Sequence, residues 1–511
     1  MARIAVIGAG MGAMATAARL AVAGHRVVVY ERGRTHGGGV GRLSRDGFSF
    51  DTGPGLLRLP AVYRDLFVKT GKETLEQSVE LIQVDPAARH LFPDGTEVLL
   101  PNASHGGVSQ ALDGAFGAGA GERWSDLVNR ARDVWDATRR PLLEEPLRSD
   151  WQVLGRDPYP AAPVRRGWFG GRRPPTLTDV ARRELRDPRA VALLESHALA
   201  HGLDPRSAPA AATVLPYIEQ TFGTWYVRGG MRALADALYE RCRARRVEFR
   251  FGAEISAIVE KDGRAAGLEL ADGTAVEADA VVAAVDPALL PPLLGGRRPW
   301  HDGDVTPDLG PGNATPGRLT VHLALRGARP EGTAHRTVVH APDRAAELAG
   351  VFGDGHSMRR PCVRPTVTVL RPDDPTVCPD ADHEAVTLTA VVAPHGPVDW
   401  ADREAAEDDA DGLMTAAKTV IPDLADRVLW REVRTPVDTA ADTGARGGAV
   451  PAPALAGAEG RLLRPANLTR LPGLYLAGGW SHPGGGLAHA GMSGALVAGL
   501  IVEGEDFRGS Q

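Results

Sequence analysis

The feature that restricts this chain most stands at its start, where an apolar run meets a glycine cluster and then a helix-forming stretch. Arg3-Ile4-Ala5-Val6-Ile7 has the pattern of a strand buried on both faces of a parallel sheet. Gly8-Ala9-Gly10-Met11-Gly12-Ala13 follows directly, and residues 14–23 are rich in alanine and leucine, which predicts a helix. A second strand, Val27-Val28-Val29-Tyr30, ends in Glu31, 23 residues after Gly8. Strand, tight turn, helix, second strand and terminal acid in this order form a dinucleotide-binding unit. Gly8 permits the turn, Gly10 lets backbone approach a pyrophosphate, and the small Ala13 lets helix and strand pack closely. Met11 and Gly12 open the helix, whose free N–H groups and dipole favour phosphate. Glu31 is placed to receive ribose hydroxyls.

That unit alone does not separate FAD from NAD, but its continuation favours FAD. Glu31 is followed by Arg32-Gly33-Arg34-Thr35-His36-Gly37-Gly38-Gly39, and later by Phe48-Ser49-Phe50-Asp51-Thr52-Gly53-Pro54-Gly55. Glycines spaced this way let the chain pass close to a ligand extending beyond the pyrophosphate, as a ribityl chain does. No second fingerprint for a nicotinamide dinucleotide is present. Near the other end, Leu474-Tyr475-Leu476-Ala477 reads as a buried strand and leads into Gly478-Gly479-Trp480-Ser481-His482-Pro483-Gly484-Gly485-Gly486. Residues 488–502 then form a small-residue helix, so this second glycine turn also holds an anionic or dipolar group at a helix N-terminus. A linker would not be wedged between a buried strand and a packed helix. The glycine run at 114–121 has no strand before it and is expected to be a loop.

Between these segments, Trp225-Tyr226-Val227-Arg228-Gly229-Gly230-Met231 leads into a helix expected over 233–245 and a strand over 247–251. Two hairpins follow, at Asp262-Gly263 and Asp272-Gly273, and then the apolar strand Ala280-Val281-Val282-Ala283-Ala284. Within this meander Ile255 is the residue whose backbone is expected to meet the adenine. A chain of 511 residues exceeds what one core supports, so two interleaved domains are expected. Residues 1–75, 223–295 and 466–505 would form a Rossmann-like α/β FAD-binding domain, and 76–222 and 296–465 an α+β substrate or cap domain. A net charge of -6 offers no overall field to nucleic acid. The three cysteines lack metal or redox spacing. No segment approaches the roughly 18 apolar residues of a membrane span, so a cytoplasmic protein is expected.

Taken together, these motifs resemble the phytoene desaturase family of bacterial carotenoid dehydrogenases, FAD enzymes related to the amine oxidase superfamily. The likeness runs through the opening glycine motif, Glu31 to Gly38, Asp51-Thr52-Gly53-Pro54, Gly223-Thr224-Trp225-Tyr226 with Gly229-Gly230-Met231, and His482-Pro483-Gly484-Gly485-Gly486. A stretch with Arg371-Pro372-Asp373-Asp374-Pro375 inside it looks like a family strand pair. The resemblance implies that Glu31 binds the adenosine ribose, Gly38 and Gly39 the phosphate-proximal region with Gly53 and Pro54 nearby, and Ile255 the adenine. It places Gly479, Trp480, Gly485, Gly486 and Leu487 at the pyrophosphate and isoalloxazine. Two positions depart from the family. Gly39 stands where arginine is usual, so Arg42 or Arg32 is expected to supply that charge, and Ala488-His489 stands where the family often has Pro-Gly.

The chemistry expected is dehydrogenation of a long apolar, polyene or isoprenoid substrate, in which the protein mainly positions the reactants. His482 is the one ionisable side chain beside the expected flavin site, as a base or, more simply, a turn residue bonded to backbone. Trp225 and Tyr226 are expected either to line the substrate wall or to be core aromatics. Arg165-Arg166-Gly167-Trp168-Phe169-Gly170-Gly171-Arg172-Arg173 is a solvated loop or a membrane-surface contact for a lipid-soluble substrate. The alternatives are a tailoring dehydrogenase of polyketides or other conjugated products, an amine oxidase, which would need an aromatic cage, and a non-catalytic carrier.

Overall fold

The computed structural model describes residues 1–165, 172–301, 303–306, 315–354 and 362–509. Arg3–Ile7 lies at the middle of a five-stranded sheet, in the order Glu248–Phe251, Arg26–Glu31, Arg3–Ile7, Ala280–Ala283, Leu474–Leu476. All its neighbouring pairs are parallel. Both faces are covered, which is why these strands read as unbroken apolar runs rather than alternating ones. On one face pack the first helix, Met11–Val22, the helix Met231–Ala244 and the last helix, Leu487–Glu503. Met14 and Leu20 on the first helix are fully buried there, each stabilising by about 1.5–3 kcal/mol. On the other face lies an antiparallel sheet of Ile255–Lys261, Arg264–Leu270 and Ala275–Glu277. Its Ile258 and Leu268 are buried beside Ala5, Ile7, Val281 and Ala283.

A seven-stranded sheet forms the second layer system, in the order Val428–Arg434, Gly317–Arg326, His383–Val392, Val367–Leu370, Arg336–Val339, Ala88–Leu91, Glu97–Leu100. It is antiparallel except where Arg336–Val339 runs parallel to Ala88–Leu91. The period of two decides its faces. Leu319, Val321, Leu323 and Leu325 pack with Ala406, Ala410 and Leu413 of the helix Arg403–Ala417. Ala324 points the other way, into a cluster with Phe48 and Phe50. Those phenylalanines sit on Phe48–Asp51, the second strand of a hairpin with Arg42–Arg45, so a hairpin following the nucleotide unit docks on the second sheet. The strand pair expected over residues 362–394 is present as Val367–Leu370 beside His383–Val392, with residues 371–375 in the connection. A short pairing of Leu81–Gln83 with Trp225–Val227 also ties the two parts together.

The remaining layer is helical. Ala120–Arg139, Leu177–Glu184, Pro188–Ala200 and Val214–Phe222 surround a core containing Trp124, Leu127, Leu193 and Leu194. Here one expectation is corrected. The glycines at 114–121 are not an open loop: Gly114 lies within the helix His105–Phe116, and only residues 117–119 turn before the next helix begins at Ala120. A side-chain carbon at Gly121 would stand 2.1 Å from the Ser109 carbonyl oxygen, so the glycine allows two helices to touch through backbone. Among the described residues, no helix is long and apolar enough to cross a membrane.

Candidate cofactor and substrate site

Two glycine turns leave the same edge of the parallel sheet, and their helices meet. A side-chain carbon at Gly12 would lie 2.7 Å from the Gly478 Cα and 3.1 Å from the Ala490 oxygen, so the first turns of the first and last helices touch. Gly494 extends this seam, where an added carbon would meet Ala15 Cβ and the Thr16 nitrogen at 2.7 Å. Gly10 and Gly486 are the N-caps, and neither first turn carries an acid. The first internal bonds run from the Met14 N–H to the Gly10 oxygen and from the Ala490 N–H to the Gly486 oxygen. The N–H groups of Met11, Gly12 and Ala13, and of Leu487, Ala488 and His489, are therefore left by the helices for a ligand, with the positive dipole ends behind them.

Glu31 closes the opening unit. Its Oε2 accepts from the Ala9 N–H at 2.8 Å and its Oε1 from the Gly33 N–H at 2.7 Å. Each oxygen retains a second acceptor site for a ribose hydroxyl. Sequence reasoning missed this double anchoring, which depends on where two separate loops run. Three backbone segments lie on one another here. Gly37 donates to the Ala9 oxygen at 2.8 Å, a carbon on Gly38 would stand 3.0 Å from the Gly10 Cα, and one on Gly53 would stand 1.9 Å from the Gly39 oxygen. Close approach of chain to chain explains those glycines. Gly10 is different, because an added carbon there would meet nothing within 4 Å. Gly38, Gly39, Gly53 and Pro54 are exposed along this open side.

Asp51, also absent from the expected site, accepts from the Met231 and Arg232 N–H groups at 2.7 and 3.0 Å and so caps the helix Met231–Ala244. Burial pushes its carboxyl up to about 6, against the lowering effect of those two bonds. Arg42 donates to the Gly229 oxygen at 2.7 Å. Arg32 donates to the Ala441 oxygen at 2.8 Å, in the last turn of Pro436–Thr443, where a cation complements the helix dipole. Ile255 begins its strand paired with Leu270. The loop before it is held at the end of Arg26–Glu31 by bonds from Ala253 to the Glu31 oxygen and from Gly252 to the Gly33 oxygen, both 2.9 Å.

The two aromatic candidates separate. Trp225 packs against the core of the nucleotide unit, its Nε1 donating to the Phe222 oxygen at 3.0 Å. Tyr226 is buried, donates its hydroxyl to Asp374 at 2.8 Å, and lines a cavity of about 50 Å³ with Arg42, Asp51, Gly229 and His335. In the carboxyl-terminal turn, Gly479 abuts Pro451, and Trp480 is half-buried. Gly485 differs from its expected role: its N–H is donated to the Ala452 oxygen at 2.9 Å, and an added carbon would stand 1.8 Å from the Pro451 oxygen. It packs against residues 451–454, while Gly486 is exposed and Leu487 half-buried. His482 is fully buried, with Nε2 bonded to the Glu145 carbonyl at 2.9 Å, and burial lowers it to about 4. At neutral pH it is an uncharged ring that ties its turn to the helical layer.

A second cavity, of about 30 Å³, opens beside His489 in the first turn of the last helix. Leu142, Leu143, Val214, Leu215 and Ile218 supply much of its wall. The segment at 165–171 that contains Trp168 and Phe169 lies outside the residues whose side chains are described.

Two adjoining helix N-termini, an open glycine, and a carboxylate with free acceptor sites fit a flavin adenine dinucleotide. The sequence matches the model of the flavin-containing amine oxidoreductases over residues 14–502. The chain belongs to this family. The flavoenzyme is 30% identical to a hydroxyneurosporene desaturase of Rubrivivax gelatinosus, covering 98% of this chain and 93% of the relative. It is 28% identical to a 4,4'-diapolycopene oxygenase of a Methylomonas species over 98% of both, and 28% identical to a neurosporene-forming phytoene desaturase of Rhodobacter capsulatus over 98% and 94%. In fold it is similar to an oxidoreductase from Methanosarcina mazei, with a TM-score of 0.62, 16% identity and coverage of 97% and 99%. Putrescine oxidase is similar too, with a TM-score of 0.60, 14% identity and coverage of 98% and 99%. The flavoenzyme is thus an FAD-dependent oxidoreductase of the phytoene-desaturase type, acting on CH–CH bonds.

Proposed function

We propose that this flavoenzyme introduces double bonds into a long apolar polyene or isoprenoid chain. The observation that carries the reading is the apolar cavity between residues 134–143 and 211–218, which ends at the first turn of the last helix. End-to-end similarity to enzymes named for carotenoid substrates supports it. Bound FAD supplies the two-electron acceptor for removing two hydrogens across a carbon–carbon bond. In this reading Gly8, Gly10, Met11, Gly12 and Ala13 present backbone to the pyrophosphate, Glu31 holds the ribose, and Ile255 lies toward the adenine. Gly486 and Leu487 present the last helix to the flavin ring. Leu142, Leu143, Val214, Leu215 and Ile218 lie along the hydrocarbon part of the substrate. We assign His482 to positioning, because its one bonded ring nitrogen serves the Glu145 carbonyl.

The wall of this cavity carries a single tryptophan, Trp135, rather than the paired aromatic rings of an amine cage. The working domain division is 1–75, 223–295 and 466–505 against 76–222 and 296–465. A lipid-soluble substrate would be reached through the membrane surface, for which the arginine-flanked Trp168 and Phe169 are suited. Trp168→Asp with Phe169→Asp is then expected to abolish co-sedimentation with anionic liposomes. The deciding experiment for function is anaerobic mixing of the holoenzyme with linear polyenes, conjugated polyketides and diamines while flavin absorbance is followed. Bleaching by a polyene alone supports the proposal. Bleaching by diamines, or by polyketides and no polyene, overturns it.

A further inference from the structure

Two polar side chains that line the second cavity, His489 and the Trp135 indole, make no side-chain hydrogen bond among the described residues. Thr138 donates its hydroxyl to the Val134 oxygen at 2.7 Å, and Arg139 is paired with Glu144 at 3.3 Å. His489 lines the same cavity and makes no side-chain hydrogen bond among the described residues. Its ring folds back over the N-cap of the last helix, with Nδ1 3.4 Å from where a side-chain carbon at Gly486 would stand. The imidazole therefore sits where the apolar cavity meets the helix turn assigned to the flavin. His489 is half-buried, and a ring that lines this wall without a protein partner keeps its donor and acceptor for a ligand. Burial lowers this histidine to about 4, so at neutral pH the ring offers one N–H donor and one acceptor rather than a charge. A neutral donor–acceptor pair matches a hydroxyl or carbonyl oxygen and has no preference for a carboxylate.

We propose that His489 is a specificity-determining residue that hydrogen-bonds an oxygen atom, hydroxyl or carbonyl, carried by an otherwise apolar conjugated substrate. This deepens the polyene reading and rests on it. The substrate class becomes an oxygenated chain, whose oxygen is held within reach of the last helix while its hydrocarbon part lies against Leu142, Leu215 and Ile218.

The test uses the holoenzyme and two probes: parinaryl alcohol, and the hydrocarbon with the same linear tetraene but no hydroxyl. Trp135 lines the cavity, so both probes are titrated by quenching of tryptophan fluorescence. The wild type is expected to bind the alcohol about 3- to 10-fold more tightly than the hydrocarbon, the range of one neutral hydrogen bond. His489→Leu should remove that preference while keeping hydrocarbon binding, and His489→Gln, which retains a donor and an acceptor, should restore it. FAD content and melting temperature are compared across the three proteins so that misfolding is not read as lost specificity. Equal affinities in the wild type, or a preference that survives His489→Leu, overturn the inference and leave the polyene reading intact. Failure of both probes to bind the wild type overturns the two together.

Discussion

Glu31 shows how much one side chain can do when two loops converge on it. Its carboxylate accepts from Ala9 and Gly33 while keeping acceptor sites for a ribose. Glu31→Ala should weaken FAD binding by roughly ten- to a hundredfold, since bonds to a charged acceptor contribute about 1.5–3 kcal/mol. It should also lower the stability of the apoprotein, because two backbone donors lose their partner. Fluorescence titration of FAD and a denaturant melt of the apoprotein check the two effects; an unchanged apoprotein would mean that the carboxylate serves the ribose alone. Gly485 makes the opposite point. By motif it belongs to the cofactor cradle, yet its α-carbon faces the Pro451 carbonyl. Gly485→Ala is therefore expected to cost about 1–3 kcal/mol by overpacking, visible as a lower melting temperature in the apoprotein. A variant with wild-type apoprotein stability and reduced FAD affinity would return Gly485 to the cradle.

At the scale of elements, the seam between the first and last helices decides whether two N-termini point at one place. Gly12 against Gly478, and Gly494 against Ala15 and Thr16, bring these helices together through backbone. The close contact spans separate ends of the chain, so it is retained only if no side chain intrudes at either glycine. Gly494→Leu should force the helices apart, move the first turn of one relative to the other, and reduce bound FAD. The measurement is the ratio of flavin to protein absorbance after desalting, with the far-ultraviolet spectrum as a control for helix content. Full FAD occupancy with an intact helix spectrum would show that the two termini do not act together. Asp51 is the matching device for a third helix, Met231–Ala244, which it caps from the hairpin strand Phe48–Asp51.

For the whole molecule, buried neutral histidines set the response to acid. His482 and His322 are fully buried, and burial lowers them to about 4 and about 3. In the unfolded chain a histidine titrates near 6.5, so below about pH 6.5 the unfolded state binds more protons than the folded one. Stability is then fully present above that pH and falls as acid approaches the folded values, by about 1.4 kcal/mol per pH unit for each such ring. Asp51 acts in the other direction. Its carboxyl is raised to about 6, so between that pH and its ordinary value near 3.8 the folded state binds the extra proton and one histidine's effect is offset. The net expectation is a melting temperature that declines from pH 6.5 to 5 at constant ionic strength. A flat or rising profile would mean that these rings are charged in the fold. The hairpin strand Phe48–Asp51 packs on the seven-stranded sheet through Phe48 and Phe50 while its Asp51 caps Met231–Ala244 of the nucleotide unit, so the two parts are expected to melt together.

The sequence alone was sufficient for the parallel strands, both glycine turns, the helices that follow them and the family resemblance. Each of these is written in contiguous residues: an apolar run buried on two faces, a turn that needs glycine, a helix-forming stretch, an acid at a set distance. Ends of elements moved by a residue or a few, as at Met11–Val22 against the expected 14–23, because caps depend on neighbours. Tertiary structure decided what the same residues touch. Nothing local says that Gly53 lies against the Gly39 oxygen, that Gly485 spends its N–H on Ala452, or that His489 enters a cavity walled by residues 134–143 and 211–218. The physical reason is the range of the interactions. Backbone propensity and burial periodicity act within a few residues and leave a trace in composition, whereas a hydrogen bond or close approach between distant segments requires only that each side be compatible with it.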